Sequence, residues 1–508
     1  MKYRDAIGLP FVVSVLVLGG GLAMLAHAGN AYPGAVGYGS ETYGGMPTGA
    51  ETTKVIRVRN LDADGPGSLK AALETQGRRL VVFEVGGVID LGGPTGVGRL
   101  RIDDPHLTIA GHTAPGPGIT ITRGDVLVNT HDVVIRHLRV RPGDAGQPKK
   151  SGWEPDGLST GRNAYNVVLD HISATWAVDE NMTTGAYSNS DSDGDGQPDL
   201  DGTSHHITIS NSLIAEGLSN STHAKGEHSK GTLLMDGNQK ISHIGNLLIS
   251  NVDRNPFVSA AESVFVNNFV TNFGSGRVFY ARNGGHPSSE YVQQSEITAV
   301  GNYVQAGPDS RGSNVFIPAH DTAHNEPAGE KAVAAYLRDN ILLERNGSNM
   351  QTITGSYELA TEALDWPEGL TPLDAYKVPA WVAAHAGALP WNRDAIDQRL
   401  VNEAKNNGGA FIDSQSEVGG YPEYEPVTRP LTVPADQGEL ADWLAGFEQD
   451  IPEPDYPQPP AEPTGIGAAH DATIIGLNPD DKTGDNAGDS ATLDVRFATE
   501  AGAGYQRM

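Results

Sequence analysis

Short runs of β-branched and aliphatic residues recur through the middle of the chain, each broken by Asn or His and resumed by another apolar pair. The pattern stands in Val133-Val134-Ile135-Arg136-His137-Leu138 and in Val167-Val168-Leu169-Asp170-His171-Ile172. It returns in Ile207-Thr208-Ile209-Ser210-Asn211-Ser212-Leu213 and Ile241-Ser242-His243-Ile244-Gly245-Asn246-Leu247, then in Val264-Phe265-Val266-Asn267-Asn268-Phe269 and Ile297-Thr298-Ala299-Val300-Gly301-Asn302-Tyr303, with a weaker copy ending at Asn340. The recurring polar positions are 137, 171, 211, 246, 268, 302 and 340, at gaps of 34, 40, 35, 22, 34 and 38 residues. An irregular period of this size, carried by strands too short to bury a face alone, predicts the stacked coils of a β-solenoid. A column of Asn has a physical role there, because stacked side-chain amides donate up the ladder and accept from below, satisfying polar groups at a buried turn. The evenly spaced Asn-Gly or Asp-Gly hairpin turns of a propeller or jelly roll are missing.

Gly65-Pro66-Gly67-Ser68-Leu69-Lys70-Ala71-Ala72-Leu73-Glu74 reads as a short helix with Ser68 as N-cap, placed to close the open apolar end of the solenoid. The strand repeat fades beyond about residue 355. Residues 431–508, rich in Pro, Gly and Asp, read mostly as a mobile tail, which leaves 29–430 as the solenoid domain.

Composition narrows the class. Gly (63) and Pro (32) are abundant among 508 residues and aromatics make up 6%, which suits a turn-rich β protein. The chain has no Cys, so disulfides, thiolate metal sites and a Cys nucleophile are excluded. Lys2 and Arg4 precede an apolar run from Leu9 to Leu25, and Ala26-His27-Ala28 follows with small residues for cleavage. Residues 1–28 therefore read as a signal peptide, and the mature protein is expected to be secreted, extracellular or periplasmic, with no membrane attachment. The net charge of −28 argues against nucleic acid as a partner. It also repels an acidic polymer, so such a substrate requires a local cation site. Residues 431–508 hold 15 Asp and Glu against 3 Lys and Arg, a net of −12.

Asp191-Ser192-Asp193-Gly194-Asp195-Gly196-Gln197-Pro198-Asp199 places oxygen ligands at positions 1, 3, 5 and 9 with Gly at 6, the front half of a calcium loop. Gly202 stands where the bidentate Glu belongs. Residues 191–202 read as an insert that lengthens one coil and holds a structural Ca2+ through Asp191, Asp193, Asp195 and Asp199.

Several ordered motifs carry a family resemblance. They are Ala31-Tyr32-Pro33-Gly34-Ala35-Val36-Gly37-Tyr38-Gly39, then Val81-Val82-Phe83-Glu84-Val85-Gly86-Gly87-Val88-Ile89 and Leu107-Thr108-Ile109-Ala110-Gly111-His112-Thr113-Ala114-Pro115-Gly116. Ile135-Arg136-His137-Leu138-Arg139-Val140-Arg141 and the segment from Asp170 to Glu180 follow in the same order. Over roughly residues 30–430 the chain resembles the secreted bacterial and fungal pectate lyases. The resemblance implies an all-β, right-handed parallel β-helix with a short N-terminal capping helix. It also implies a calcium-dependent polysaccharide lyase, acting as a monomer on an acidic polysaccharide, with pectate as the first expectation.

In such enzymes a base removes the C5 proton of a galacturonate and the C4 oxygen leaves. Calcium on the carboxylate stabilises the enolate-like charge, which calls for clustered hard oxygens. The resemblance places a first Ca2+ ligand at Asp156, which opens Asp156-Gly157-Leu158-Ser159, and further ligands at Asp179 and Glu180. Relatives carry another acid where Thr183 stands, so either Glu180 substitutes or substrate oxygens complete the site. Arg254, in Arg254-Asn255-Pro256, matches the catalytic Arg. Lys225 matches the Lys that binds substrate carboxylate, with Lys230 as the near alternative. A second family Arg is replaced by Phe257 or Ser259, leaving Arg277 or Arg282 to supply the clamp. Asp170 and His171 read as structural. The competing readings are a lyase for another uronate polymer such as alginate, a β-helical glycoside hydrolase using paired carboxylates, and a non-catalytic carbohydrate-binding solenoid.

Overall fold

The computed structural model describes residues 31–49, 51–185, 204–235, 237–259, 262–274, 278–283, 294–311, 316–318, 333–348, 357–363 and 365–457. Residues 1–28, the insert with Asp191, Asp193, Asp195 and Asp199, Arg277 and residues 458–508 lie outside them.

Each apolar run forms a strand that pairs in parallel with the equivalent run of the next coil. Val133, Val167, Ile207 and Ile241 stack in one register, and all four belong to the main interior cluster. The strands form a 19-stranded and an 8-stranded sheet. The long strands Val133–Arg141 and Tyr165–Thr175 run continuously through a corner. One coil later the same path divides into His205–Ser210 and Leu213–Ala215, which merges two faces of the solenoid into one sheet. The molecule is a parallel β-helix, as the repeat predicts.

The N-terminal end is closed by helix α1 (Leu69–Leu73), whose N-cap Ser68 Oγ accepts from Ala71 N at 3.2 Å. Leu69, Ala72 and Leu73 enter the interior cluster and cover the first coil.

The polar positions resolve into two adjacent columns. Side-chain amides of Asn246, Asn268, Asn302 and Asn340 form the predicted ladder, each Nδ2 donating to the next Oδ1 at 2.9–3.0 Å. Each Oδ1 in the last three also accepts the backbone N–H of the Asn below it. Position 211 is not in this ladder. Ser212 is, accepting from Ile172 N while its own N donates to Asn246 Oδ1. His137, His171 and Asn211 occupy the neighbouring column with Gly245, Asn267, Gly301 and Asp339, all at φ between 48° and 67°. Left-handed backbone selects Gly, Asn and Asp, so both columns look polar in sequence. His137 and His171 stack at 4.7 Å instead of joining amides.

Both outer faces are covered. Residues 31–46 run across the coils so closely that a Cβ on Gly39 would lie 2.3 Å from Val167 O, which accounts for glycine there. Helices α2 (Val378–His385) and α3 (Ala395–Lys405) lay Val378, Val382, Leu400 and Val401 on Leu213, Leu247 and Phe269. Beneath them Arg139 and Arg141, buried on Val133–Arg141, pair with Asp394 and Asp397 at 2.6–3.0 Å. Of the segment expected as a tail, residues 431–457 are described, and α4 (Leu440–Ala445) packs Leu440 and Leu444 on Leu80 and Val82.

Replacing Asn302 by Ala strands two buried N–H groups of Asn268, that of its backbone and one of the two on Nδ2, the other still donating to His243 O. The expected cost is about 2–4 kcal/mol of stability, read as a lower urea midpoint; an unchanged midpoint removes the ladder from the stability of the coils.

Candidate active site

The turns that lead into the strands of the smaller sheet bring distant residues into one row. Glu180 and Lys230 are in register, and Lys230 bridges Asp253 on the following coil. Asp156 enters the same row from the preceding coil, where its Oδ1 accepts Glu180 N at 3.1 Å and its Oδ2 accepts Ser159 Oγ at 2.6 Å. A buried amide chain fixes these turns from behind. Asn181 Nδ2 donates to Asn251 Oδ1 at 3.0 Å, and Asn255 Nδ2 donates to Asn251 O at 3.1 Å. The rim residues on these turns therefore have little freedom to shift.

Carboxylate oxygens of Asp156, Asp179 and Glu180 lie within 4.8 Å of one another. The Arg254 guanidinium pairs with Glu180 Oε1 and stands 5.9 Å from the Phe257 ring centroid. Arg254 itself adopts left-handed backbone, φ 59°. Asp179 reaches His228 Nε2 at 2.6 Å and lies 3.9 Å from His223 Nε2. On the other side of Asp156, Asp125 is held by Arg99 through two contacts of 2.6 and 2.7 Å. A cavity of about 360 Å³ opens there, lined by Gly98, Arg99, Asp125, Trp153, Glu154 and Pro155 among others.

The electrostatics of the cluster are unbalanced. Burial pushes Asp156 up to about 7, and the neighbouring Asp179 and Asp125 charges add to the rise against the Ser159 hydrogen bond. Burial also raises Asp179, but the His228 hydrogen bond and the His228, His223 and Arg254 charges outweigh it and leave it below the ordinary value. Burial lowers the Arg254 guanidinium; Asp179 and Asp156 oppose this, Arg282 adds to it, and the net shift is downward. Burial lowers His223, with the adjacent His228 contributing. The row can thus concentrate negative charge, hold a cation and present a guanidinium whose proton is less tightly held than usual.

No family model matches the chain. A probable pectate lyase C of Aspergillus flavus is 31% identical over 417 residues, covering 80% of this chain and 85% of the relative. A probable pectate lyase C of Aspergillus oryzae matches with the same identity and coverage. The chain belongs to the pectate lyase family. Among solved structures, a variant pectate lyase of Bacillus subtilis aligns with 73% of this chain and 99% of its own, at 14% identity and a TM-score of 0.43.

Against the pectate lyase pattern, the structure brings Asp156, Asp179, Glu180 and Arg254 together. Lys225 stands apart from them in hydrogen-bonding terms. It is exposed on the turn 224–226, its backbone N–H donates to His223 Nδ1 at 3.1 Å, and its side chain makes no ion pair among the described residues. Lys230 is paired with Asp253 at 3.1 Å. Thr183 is buried in the sheet. At the departure from the pattern, Arg282 sits in register with Ser259 one coil on, donates to Ser259 Oγ at 2.9 Å and lies 5.2 Å over the Phe257 ring. Both replacement residues therefore cradle a guanidinium from the next coil. Asp170 binds Arg136, His171, Ser210 and Asn211 in a buried network, as the structural reading expected.

Sequence reasoning missed three partners of the cluster: His223, His228 and the Asp125–Arg99 pair. His223 and His228 flank Lys225 in a short His-rich stretch, which was the available signal. Nothing in the local sequence marks Asp125, because its nearness to Asp156 depends on register between coils.

The raised Asp156 predicts a pH signature. Its folded value exceeds the unfolded one, so its contribution favours folding fully below about pH 4 and is lost as pH rises through about 7. In chelator, Asp156→Asn should gain thermal stability relative to the parent chain progressively between about pH 4 and pH 7. A melting difference that stays flat over that window refutes the assignment.

Proposed function

We propose that the chain is a secreted, calcium-dependent lyase that cleaves pectate by β-elimination at this row. The observation that carries the reading is the convergence of Asp156, Asp179 and Glu180 with the Arg254 guanidinium beside them. The donor set fits Ca2+: three carboxylates offer hard oxygens at one point, and burial together with the neighbouring Asp179 and Asp125 charges raises Asp156, a cost that a bound cation would relieve. Asp156, Asp179 and Glu180 would hold the ion, which when bound neutralises a uronate carboxylate and acidifies the hydrogen on the adjacent C5.

Arg254 takes that C5 proton. Burial and Arg282 favour its neutral form, whereas Asp179, Asp156 and the Glu180 ion pair oppose it, a pull that a cation held by those three carboxylates would relieve; the anchored Asn255 turn fixes its position. The C5–H electrons become the C4–C5 double bond, the C4–O bond breaks, and the leaving oxygen is protonated from water. Lys225, exposed on its turn, meets a uronate carboxylate of the polymer, and Arg282 takes the place of the second clamp. The names of the Aspergillus relatives support pectate as the polymer.

Hydrolysis fits less well, since a glycosidase works with two carboxyl groups flanking the bond, whereas three carboxylates here share one point beside a guanidinium. Export is supported by the signal-type segment 1–28; no helix among the described residues is long and apolar enough to cross a membrane. The spacing of Asp191, Asp193, Asp195 and Asp199 supports a separate structural Ca2+ in the insert.

Pectate treated with the purified chain should yield unsaturated products absorbing in the near ultraviolet, and chelator should abolish them. Saturated products indicate hydrolysis instead. Arg254→Lys keeps the charge but loses the planar fork, and turnover should fall by at least about 10³ with the fold intact by circular dichroism. Near-normal rates in that variant move the base elsewhere, with Lys225 the next candidate.

A further inference from the structure

Asp179 faces two ways. One side meets Asp156 and Glu180; the other meets an imidazole pair on the loop 219–228. The rings of His223 and His228 stack with centroids 3.8 Å apart and planes 19° apart, and the Nε2 atoms lie 3.9 and 2.6 Å from the same Asp179 Oδ1. One ligand atom from each of Asp179, His223 and His228 falls within a mutual 4.8 Å. Donors at ~2.0–2.1 Å around a tetrahedral ion stand about 3.3 Å from one another; the two imidazole–carboxylate distances straddle that spacing, and the stacked rings must splay apart for both Nε2 lone pairs to converge on one ion.

The unusual atom is His223 Nε2. His223 is 1% exposed, yet this nitrogen is buried and makes no hydrogen bond. A buried polar atom without a partner is costly. Stacking against His228 covers the ring face and leaves Nε2 3.9 Å from the Asp179 carboxylate, too far to bond it. On the opposite edge, Glu154 Oε1 lies 3.4 Å from His223 Nδ1. Metal-bound imidazoles commonly donate their second N–H to such a carboxylate. The Lys225 N–H now donates to Nδ1 and gives up that bond when Nδ1 carries the proton.

We propose that Asp179, His223 and His228 form a transition-metal site beside the carboxylate cluster and share Asp179 with it. Two imidazole nitrogens and one carboxylate are a donor set for zinc, nickel or cobalt, whereas calcium takes oxygens. Three protein ligands leave further positions for water or an anionic ligand. The zinc site stands on the His pair and does not depend on lyase activity. Its second consequence, competition with calcium for Asp179, does rest on the calcium reading.

The test uses the full chain with Zn2+ and with Co2+ as probes. Calorimetry should find one Zn2+ whose affinity falls at least about 100-fold in both His223→Gln and His228→Gln, beyond the 10–100-fold typical of losing an outer partner. Co2+ should give the intense visible bands of a low-coordinate ion, and these should vanish in the variants. Gln preserves much of the side-chain volume, and melting curves verify that both variants fold. Calcium binding, measured without zinc, should persist in both variants, weakened in His228→Gln by loss of the hydrogen bond to Asp179, and zinc should weaken calcium binding only when the His pair is intact. Zinc binding of equal strength in parent and variants, or a cobalt complex without visible bands, overturns the site. Zinc binding with no calcium binding leaves the site standing and refutes the calcium reading. Zinc and calcium binding together without interference refute the sharing of Asp179.

Discussion

Parallel hydrogen bonding between successive coils is the constraint on which the rest of the molecule depends. It turns sequence separations of 19 to 50 residues into direct neighbours, so a residue's chemical partners are set by its place in the coil. Asp156, Glu180, Lys230 and Asp253 share a row only because their strands stack in register. The Asn246–Asn340 ladder reinforces the same register from the side, since a slip of one residue would part every amide from its partner. Site geometry and fold stability therefore rest on one repeated interaction.

Much of this was legible from the chain. The apolar runs gave the coils because each is too short to bury a face alone. Ser68 gave the capping helix because its hydroxyl suits an N-terminal turn. The acids and Arg254 were legible through motifs. What failed to show was adjacency across coils of unequal length. The polar columns slipped by one at Asn211 and Ser212 for this reason, since left-handed turns and amide ladders select overlapping residue types. Arg139 and Arg141 read as part of a strand motif, while their partners Asp394 and Asp397 lie more than 250 residues on. Asp125 was hidden by the same geometry, whereas the His223–His228 pair left a local mark in the stretch around Lys225.

Charge is managed locally. The chain as a whole repels anions at −28, yet the row of acids is bordered by Arg99, Lys230, Arg254 and Arg282. Arg99 and Lys230 are held by carboxylates on the row's edges, Asp125 and Asp253. Arg282 donates to Ser259 Oγ and lies over the Phe257 ring. An anionic polymer thus meets a negative molecule whose acidic row alternates with ion-paired guanidinium and ammonium groups, and local field within a cleft outweighs net charge at such distances.

The C-terminal segment has a consequence for how the molecule is made. Val427–Thr428 joins Val85–Asp90 as an antiparallel pair, Arg429 N and Leu431 N donate to Glu84, and Glu448 grips Arg136. These late residues finish the outside of the earliest coils, and Leu440 and Leu444 supply apolar cover for Leu80 and Val82. A solenoid that could otherwise assemble from its first turn onward is left with a wet apolar flank until almost the whole chain has emerged. Contacts of such sequence separation place this domain among slow folders. Synthesis runs ahead of completion, and the chain stays open for longer than its repetitive core alone would require.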